Sequence, residues 1–286
     1  MNRRQFMQAM GSAAIAGAFP QHLSAATAPK AATDRVLLGP RKIELSRLAM
    51  GTGSNGWGKN SNQTRKLGIQ GLATHLQSAF ADGVTFWDAA DQYGTHPHLG
   101  LALKSVVRDK VTIMTKSTSS TYKDMQADID RFRKELGTEY IDILLLHCLT
   151  DADWNVKRRG AMDAISEAQQ KGIIRTHGVS CHSLEALKTA AAEPWVEVDL
   201  ARINPDQAQM DATPDTVLGV LRQMKTAGKG VIGMKILGGG KLASQQDRAL
   251  QYALSLDCID CFTIGTESRE QFQDIVKRIP AASTKA

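Results

Sequence analysis

Short apolar runs rich in Val and Ile recur eight times along this chain, and between them lie helix-like segments. That alternation limits the fold more than any other feature. The runs are Leu48–Gly51, Val84–Asp88, Val111–Lys116, Ile141–His147, Ile174–Ser180, Val198–Asn204, Val231–Leu237 and Phe262–Gly265. The helix-like segments include Gly71–Ala81, Met125–Leu136, Met162–Gln170, Leu184–Ala192, Thr216–Thr226 and Arg269–Arg278. Several of them stop at a glycine (Gly83, Gly137, Gly172, Gly228), where a left-handed cap is least costly. Strand ends recur every roughly 24 to 37 residues, the size of one strand–helix unit. Eight such units predict a (β/α)8 barrel, a TIM barrel. A doubly wound sheet is the rival, but it usually has fewer strands and a Gly-rich turn after the first.

Ahead of the first barrel strand, Val36–Leu38, a Gly39-Pro40 turn and Ile43–Leu45 read as an N-terminal β-hairpin that closes the barrel's bottom. No Pro- or Ser-rich linker divides the chain, and 286 residues suit one large α/β domain over 35–286, with 27–34 as a linker before it. With 42% hydrophobic and 22% charged residues, disorder and a disulfide-dense scaffold are excluded. The net charge of +6 is dispersed without a basic run, so no nucleic-acid stripe is expected.

Met1–Ala26 carries Arg3 and Arg4, no acidic residue, a mildly apolar stretch over Met7–Phe19, and small residues at Ser24-Ala25-Ala26. The order of charged head, apolar middle and small-residue exit reads as a secretory signal. The run Asn2-Arg3-Arg4-Gln5-Phe6-Met7 resembles the twin-arginine export motif. That resemblance implies cleavage near Ala26, the Tat export machinery as partner and a periplasmic protein moved already folded. An ordinary amphipathic helix is the alternative. No later run approaches the roughly 20 apolar residues needed to span a bilayer.

In a barrel the chemistry gathers at the C-terminal ends of the strands. The second barrel strand ends at Asp88, the third at Lys116 and the fourth at His147, with Tyr93 in the loop after Asp88. Two-residue alternation puts His147 on one face with Leu145 and Ile143, and Lys116 with Met114, as inward faces. An acid, a phenol, an amine and an imidazole at one barrel level form a candidate catalytic group.

In these residues, and over nearly all of 35–280, the sequence resembles the aldo-keto reductase family. The carrying segments are Arg47–Gly53, Asp88–Gly94, Thr115-Lys116, Tyr140–His147 and Gly178-Val179-Ser180. The resemblance places the family's catalytic tetrad on Asp88, Tyr93, Lys116 and His147. It implies reversible carbonyl–alcohol interconversion, with hydride from NADP(H), or NAD(H), because no side chain can supply one. Lys116 is then expected to lower the Tyr93 pKa, Asp88 to hold Lys116, and His147 to bond the substrate oxygen.

The resemblance also implies cofactor contacts at Gly51, Thr52, Ser180, Cys181, Met234, Lys235, Gly265, Thr266, Arg269 and Gln271. Here the chain departs from the family. Cys181 stands for an Asn that binds the carboxamide, and Met234 for an aromatic residue that stacks on nicotinamide. Gly265 and Gln271 stand where many members set Lys and Arg against the 2′-phosphate, with Arg269 or Lys235 as candidate substitutes. Trp57 and Trp154, in loops after the first and fourth barrel strands, are candidate walls for a small carbonyl or sugar-like substrate, or else loop packing. Arg202 and Asn204 end the sixth strand and either reach the cleft or pair locally. The short stretch after Arg278 implies an open site.

Cys258 and Cys261 read as two buried thiols, a local disulfide or a metal pair, and Cys148 and Cys181 as structural thiols; no metal site is assigned. Two other functions stay open. One is a non-catalytic nucleotide-binding sensor or partner subunit; the other is a lyase using Lys116 as a Schiff-base amine.

Overall fold

The structure, a computed structural model, describes residues 28–285. The twin-arginine segment lies outside the described residues. The hairpin consists of β1 (Arg35–Leu38) and β2 (Ile43–Ser46), paired antiparallel with Arg35 opposite Ser46 and Leu38 opposite Ile43. The barrel strands are β3 (Leu48–Gly51), β4 (Phe86–Asp88), β5 (Thr112–Ser117), β6 (Ile141–Leu149), β7 (Ile174–Cys181), β8 (Val198–Arg202), β9 (Gly230–Met234) and β10 (Cys261–Gly265). They close in that order, all parallel, with β10 returning to β3.

Helices α1 (Asn62–Ala81), α2 (His96–Leu103), α3 (Tyr122–Leu136), α4 (Trp154–Lys157), α5 (Arg159–Gln170), α6 (Leu184–Ala192), α7 (Pro214–Thr226), α8 (Gln246–Ser255) and α9 (Arg269–Ser283) belong to the connections that follow the barrel strands. Among the described residues this is the predicted eight-stranded (β/α)8 barrel with its hairpin. The expected stops Gly83, Gly137, Gly172 and Gly228 are all left-handed, with φ between 66° and 88°. Helix α9 continues past Arg278 to Ser283 with Pro280 inside it, so most of the expected tail is helical.

Strand alternation sorts the apolar side chains into two layers. Ala49, Phe86, Met114, Ile143, Leu145 and Leu200 fill the barrel interior together with Leu38, Ile43 and Leu45 of the hairpin. The hairpin thus plugs the N-terminal end. Leu48, Trp87, Leu144, Val179 and Phe262 face outward into the larger layer between strands and helices. Burying such side chains stabilises the fold by about 1.5–3 kcal/mol each. Residues 28–34, expected as a linker, are docked instead. Ala32 is buried in the outer layer, and Lys30 donates from Nζ to the Leu254 carbonyl (2.6 Å) and from its backbone N–H to Ser283 Oγ (2.9 Å). No described helix is long and apolar enough to cross a membrane.

Candidate active site

With the hairpin filling one end, the other end of the barrel is left to carry polar groups. Asp88 is the last residue of β4, Lys116 the next-to-last of β5, and His147 lies two residues before the end of β6. Because Met114 and Leu145 fill the interior, Lys116 and His147, each two residues further on, point the same way. Tyr93 follows in a single helical turn, Asp91–Tyr93, closed by left-handed Gly94.

Lys116 is wholly buried. Its ammonium is ion-paired with Asp88 and donates to the Ala89 carbonyl (2.8 Å). The other Asp88 oxygen accepts from Thr263 Oγ1 (2.8 Å) on β10. The Lys116 ammonium lies over the Tyr93 ring, 4.8 Å from its centroid, and the Tyr93 and His147 rings meet edge-on at 5.6 Å. The predicted four residues are therefore one cluster. An amine so enclosed and charge-paired is badly placed to attack a carbonyl, which removes the basis of the lyase alternative.

The expected effect of Lys116 on Tyr93 is corrected. Burial first, and the Asp88 charge next, push the Tyr93 phenol well above its ordinary value. Lys116 faces the ring while ion-paired with Asp88, and in the resting site burial and the Asp88 charge outweigh its pull, so the phenol keeps its proton. Burial, reinforced by Lys116 and His182, holds His147 well below the usual histidine range, so its imidazole is neutral. Its Nδ1 is buried without a partner.

Two features that hold Tyr93 escaped the sequence reading. Gly53 and Gly56 pack against the ring so closely that a Cβ on either would lie 2.2 Å or 2.4 Å from a ring carbon. Their three-residue spacing after β3 was the available signal. The turn itself is anchored by Asp91, which accepts from Arg131 (2.7 Å) and pairs with Lys59. Burial alone would raise the Asp91 pKa, but those two cations outweigh it and hold the carboxylate low.

A cavity of about 370 Å³ opens beside the cluster. It runs from Asp88 and Tyr93 past Met234 and Lys235 to Gly265, Thr266 and Gln271, and Gly51 also lines it. Ser180 faces the interior, since its neighbours Val179 and Cys181 lie in the outer layer, and its Oγ is buried without a partner.

Several expected contacts are not on this cleft. Cys181 points outward, buried beside Asp199, because strand alternation opposes it to Ser180. Thr52 is buried and donates to the Asp88 carbonyl (2.8 Å), supporting the site from behind. Arg269 faces Asp82 at 3.5 Å and is absent from the cavity wall. Trp154 is 1% exposed and donates from Nε1 to the Ala186 carbonyl (3.1 Å), so it is packing and not a substrate wall. Trp57 is 61% exposed, bridged to Asn60, and does not line the cavity. Arg202 is paired with Asp211, and Asn204 is wholly buried, holding backbone groups. Cys148, Cys181, Cys258 and Cys261 are all free thiols.

The comparisons with known proteins agree with this fold. A model of the aldo/keto reductase family matches residues 47–256. A probable aldo-keto reductase 1 from Glycine max is 28% identical over 171 residues, 55% of this chain and 47% of that protein. An NAD/NADP-dependent indole-3-acetaldehyde reductase from Schizosaccharomyces pombe is 30% identical over 132 residues, 44% of this chain and 46% of that protein. The chain thus spans about half the length of the curated relatives it matches. A solved putative aldo-keto reductase from Pseudomonas aeruginosa superposes with a TM-score of 0.73 at 17% identity, covering 88% of this chain and 98% of that one. The holo form of an aldo-keto reductase from Bacillus halodurans gives 0.72 at 18% identity, covering 88% and 94%. At those identities the two structures show the shared fold alone.

Proposed function

The chain belongs to the aldo/keto reductase family, and on that premise we propose that it interconverts a carbonyl and an alcohol, with a nicotinamide nucleotide as redox partner and Tyr93 as acid and base. The observation that carries this reading is the cluster itself. A buried phenol packs against an ion-paired lysine and a neutral imidazole, and of this cluster Tyr93 and Asp88 line the cavity. The cavity fits a nicotinamide nucleotide, which Met234, Gly265, Thr266 and Gln271 would hold, with the inward-facing Ser180 hydroxyl as a further donor in the barrel interior. Such a nucleotide supplies the hydride.

The side chains provide the rest. His147 is a neutral hydrogen-bonding partner for the carbonyl oxygen and brings no charge of its own. Tyr93 keeps its proton until the oxygen turns basic, because an alkoxide is a far stronger base than a phenolate. The phenolate left behind lies under the Lys116 ammonium, which offsets the new charge in a water-poor site. Asp88 and Thr263 keep Lys116 in place.

Neither Lys nor Arg stands at positions 265 and 271, while Glu267 and Asp274 line that end of the cavity. A 2′-phosphate would meet acidic groups there, which favours NAD(H) over NADP(H). The test is Tyr93→Phe with carbonyl substrates and both nucleotides. Turnover should fall at least about a hundredfold with the nucleotide dissociation constant unchanged. Undiminished turnover would remove Tyr93 from the mechanism.

We also propose export through the twin-arginine route, supported by the run Asn2-Arg3-Arg4-Gln5-Phe6-Met7, the mildly apolar stretch over Met7–Phe19 and the small residues Ser24-Ala25-Ala26. Changing Arg3 and Arg4 to Lys should leave the protein in the cytoplasmic fraction; unaltered export would contradict it.

A further inference from the structure

Tyr93 and Lys116 must keep one separation, yet they stand on different elements. Tyr93 ends the turn after β4, and Lys116 lies next to the last residue of β5. Helix α3, which follows β5, reaches both. Its apolar face, Met125, Ile129, Phe132 and Leu136, is buried in the fold. Beside that face runs a polar stripe of Asp128, Arg131 and Glu135, spaced by three and four residues as neighbours along one helix face are.

Arg131 is the centre of the stripe. It donates to Asp128 (2.5 Å) and Glu135 (3.1 Å) on its own helix and to Asp91 (2.7 Å) in the Tyr93 turn. The other Asp128 oxygen accepts from Ser117 Oγ (2.5 Å) and Ser119 Oγ (2.7 Å). The other Glu135 oxygen accepts from His96 Nδ1 (2.8 Å), whose Nε2 meets Thr115 Oγ1 at 2.6 Å. Thr115 and Ser117 are the two neighbours of Lys116 on β5, and alternation turns them toward the helices while Lys116 points inward with Met114. The stripe thus grips Lys116 through both flanking residues and Tyr93 through Asp91.

Ion pairs to a side chain that is 36% exposed, as Arg131 is, add little to stability. The groups it joins are another matter, because Asp91, His96, Thr115 and Ser117 are all buried. Buried polar groups with their partners in place make their surroundings rigid. Lys59 pairs with Asp91 and His96 with Glu135, yet neither spans to Asp128. Without the guanidinium, three carboxylates would face one another and repel, and two of them carry the turn and the strand end.

We propose that Arg131 is a positioning residue, whose fork sets the Lys116 ammonium over the Tyr93 ring although it bonds to neither. The inference rests on the reductase reading only for its effect on turnover.

The test is NMR of Arg131→Ala labelled at the tyrosine ζ carbon, with Arg131→Lys and Arg133→Ala beside it. The chain has four tyrosines, and the signal missing from Tyr93→Phe is that of Tyr93. Arg131→Ala should displace that signal, and millimolar guanidinium, filling the vacated place, should return it. Arg131→Lys should displace it less, because one ammonium cannot fork to Asp91 and Asp128. Arg133→Ala, on the same helix but paired with Glu139, should leave it unmoved. In reduction of 4-nitrobenzaldehyde, kcat of Arg131→Ala should fall about tenfold or more while KM and nucleotide affinity stay near the wild type. A Tyr93 signal unmoved in Arg131→Ala, or in Arg131→Lys should the alanine variant not fold, overturns the proposal. So does an equal displacement in Arg133→Ala, or no return with guanidinium, since Arg131 would then serve the fold alone. A displaced signal in a protein that never reduces an aldehyde would fault the reductase reading and leave this inference standing.

Discussion

At the scale of single residues, the proposed chemistry depends on how firmly Tyr93 is held. Its ring is trapped between Gly53, Gly56 and the Lys116 ammonium, and its turn is fixed through Asp91. Gly53→Ala would set a methyl group 2.2 Å from the ring and force the phenol aside. Displacing a reacting group by about 1 Å costs of order a hundredfold. The variant should therefore lose turnover to that extent while melting near the wild-type temperature, as activity and calorimetry on one preparation would show. The residues that carry charge at strand ends were legible in the sequence, because Asp88, Lys116 and His147 sit at positions fixed by an alternation of two. The environment was not. That the phenol stays protonated follows from burial and from the Asp88 charge beside it, a matter of distances among two strands and a loop.

At the scale of elements, alternation explains both what was read correctly and what was not. Ser180 and Cys181 are neighbours in sequence, yet one faces the barrel interior and the other the helices. Pairing them as joint cofactor contacts overlooked the strand period. Trp154 was assigned to a loop, whereas it opens α4 and is covered by α6. The outward face of β8 holds Asp199, wholly buried beside the Cys181 thiol. Burial, with Asp211 adding to it, raises its pKa to about 8. Between the unfolded value near 3.8 and about 8, the unfolded chain is ionised while the folded chain keeps the proton. Stability from this group is therefore greatest below about pH 4 and falls as the pH rises toward 8, by about 1.4 kcal/mol per unit at most. Asp199→Asn should flatten that slope, as denaturant midpoints measured across the range would reveal. A slope unchanged by the substitution would mean that Asp199 is ionised in the fold.

At the scale of the whole molecule, the two ends of the barrel divide the work. The hairpin fills one end with Leu38, Ile43 and Leu45, and this releases the other end from any packing duty. A plugged, rigid base then lets side chains from four strand ends and one loop meet above it, which no single strand–helix unit could do. The eight-fold repeat and the hairpin were readable from the spacing of apolar runs and from one Gly-Pro turn. The docking of residues 28–34 was not, because polar Lys30 reaches partners more than 200 positions away. On the proposed function, this assembly directs a hydride from a nicotinamide to a carbonyl carbon. That reading is tested by giving the protein an aldehyde with NADH carrying deuterium at both C4 positions and examining the alcohol formed by mass spectrometry. One deuterium on the carbinol carbon in each product molecule, absent with Tyr93→Phe, is the predicted result. Alcohol without the label, or none from any aldehyde with either nucleotide, would contradict it.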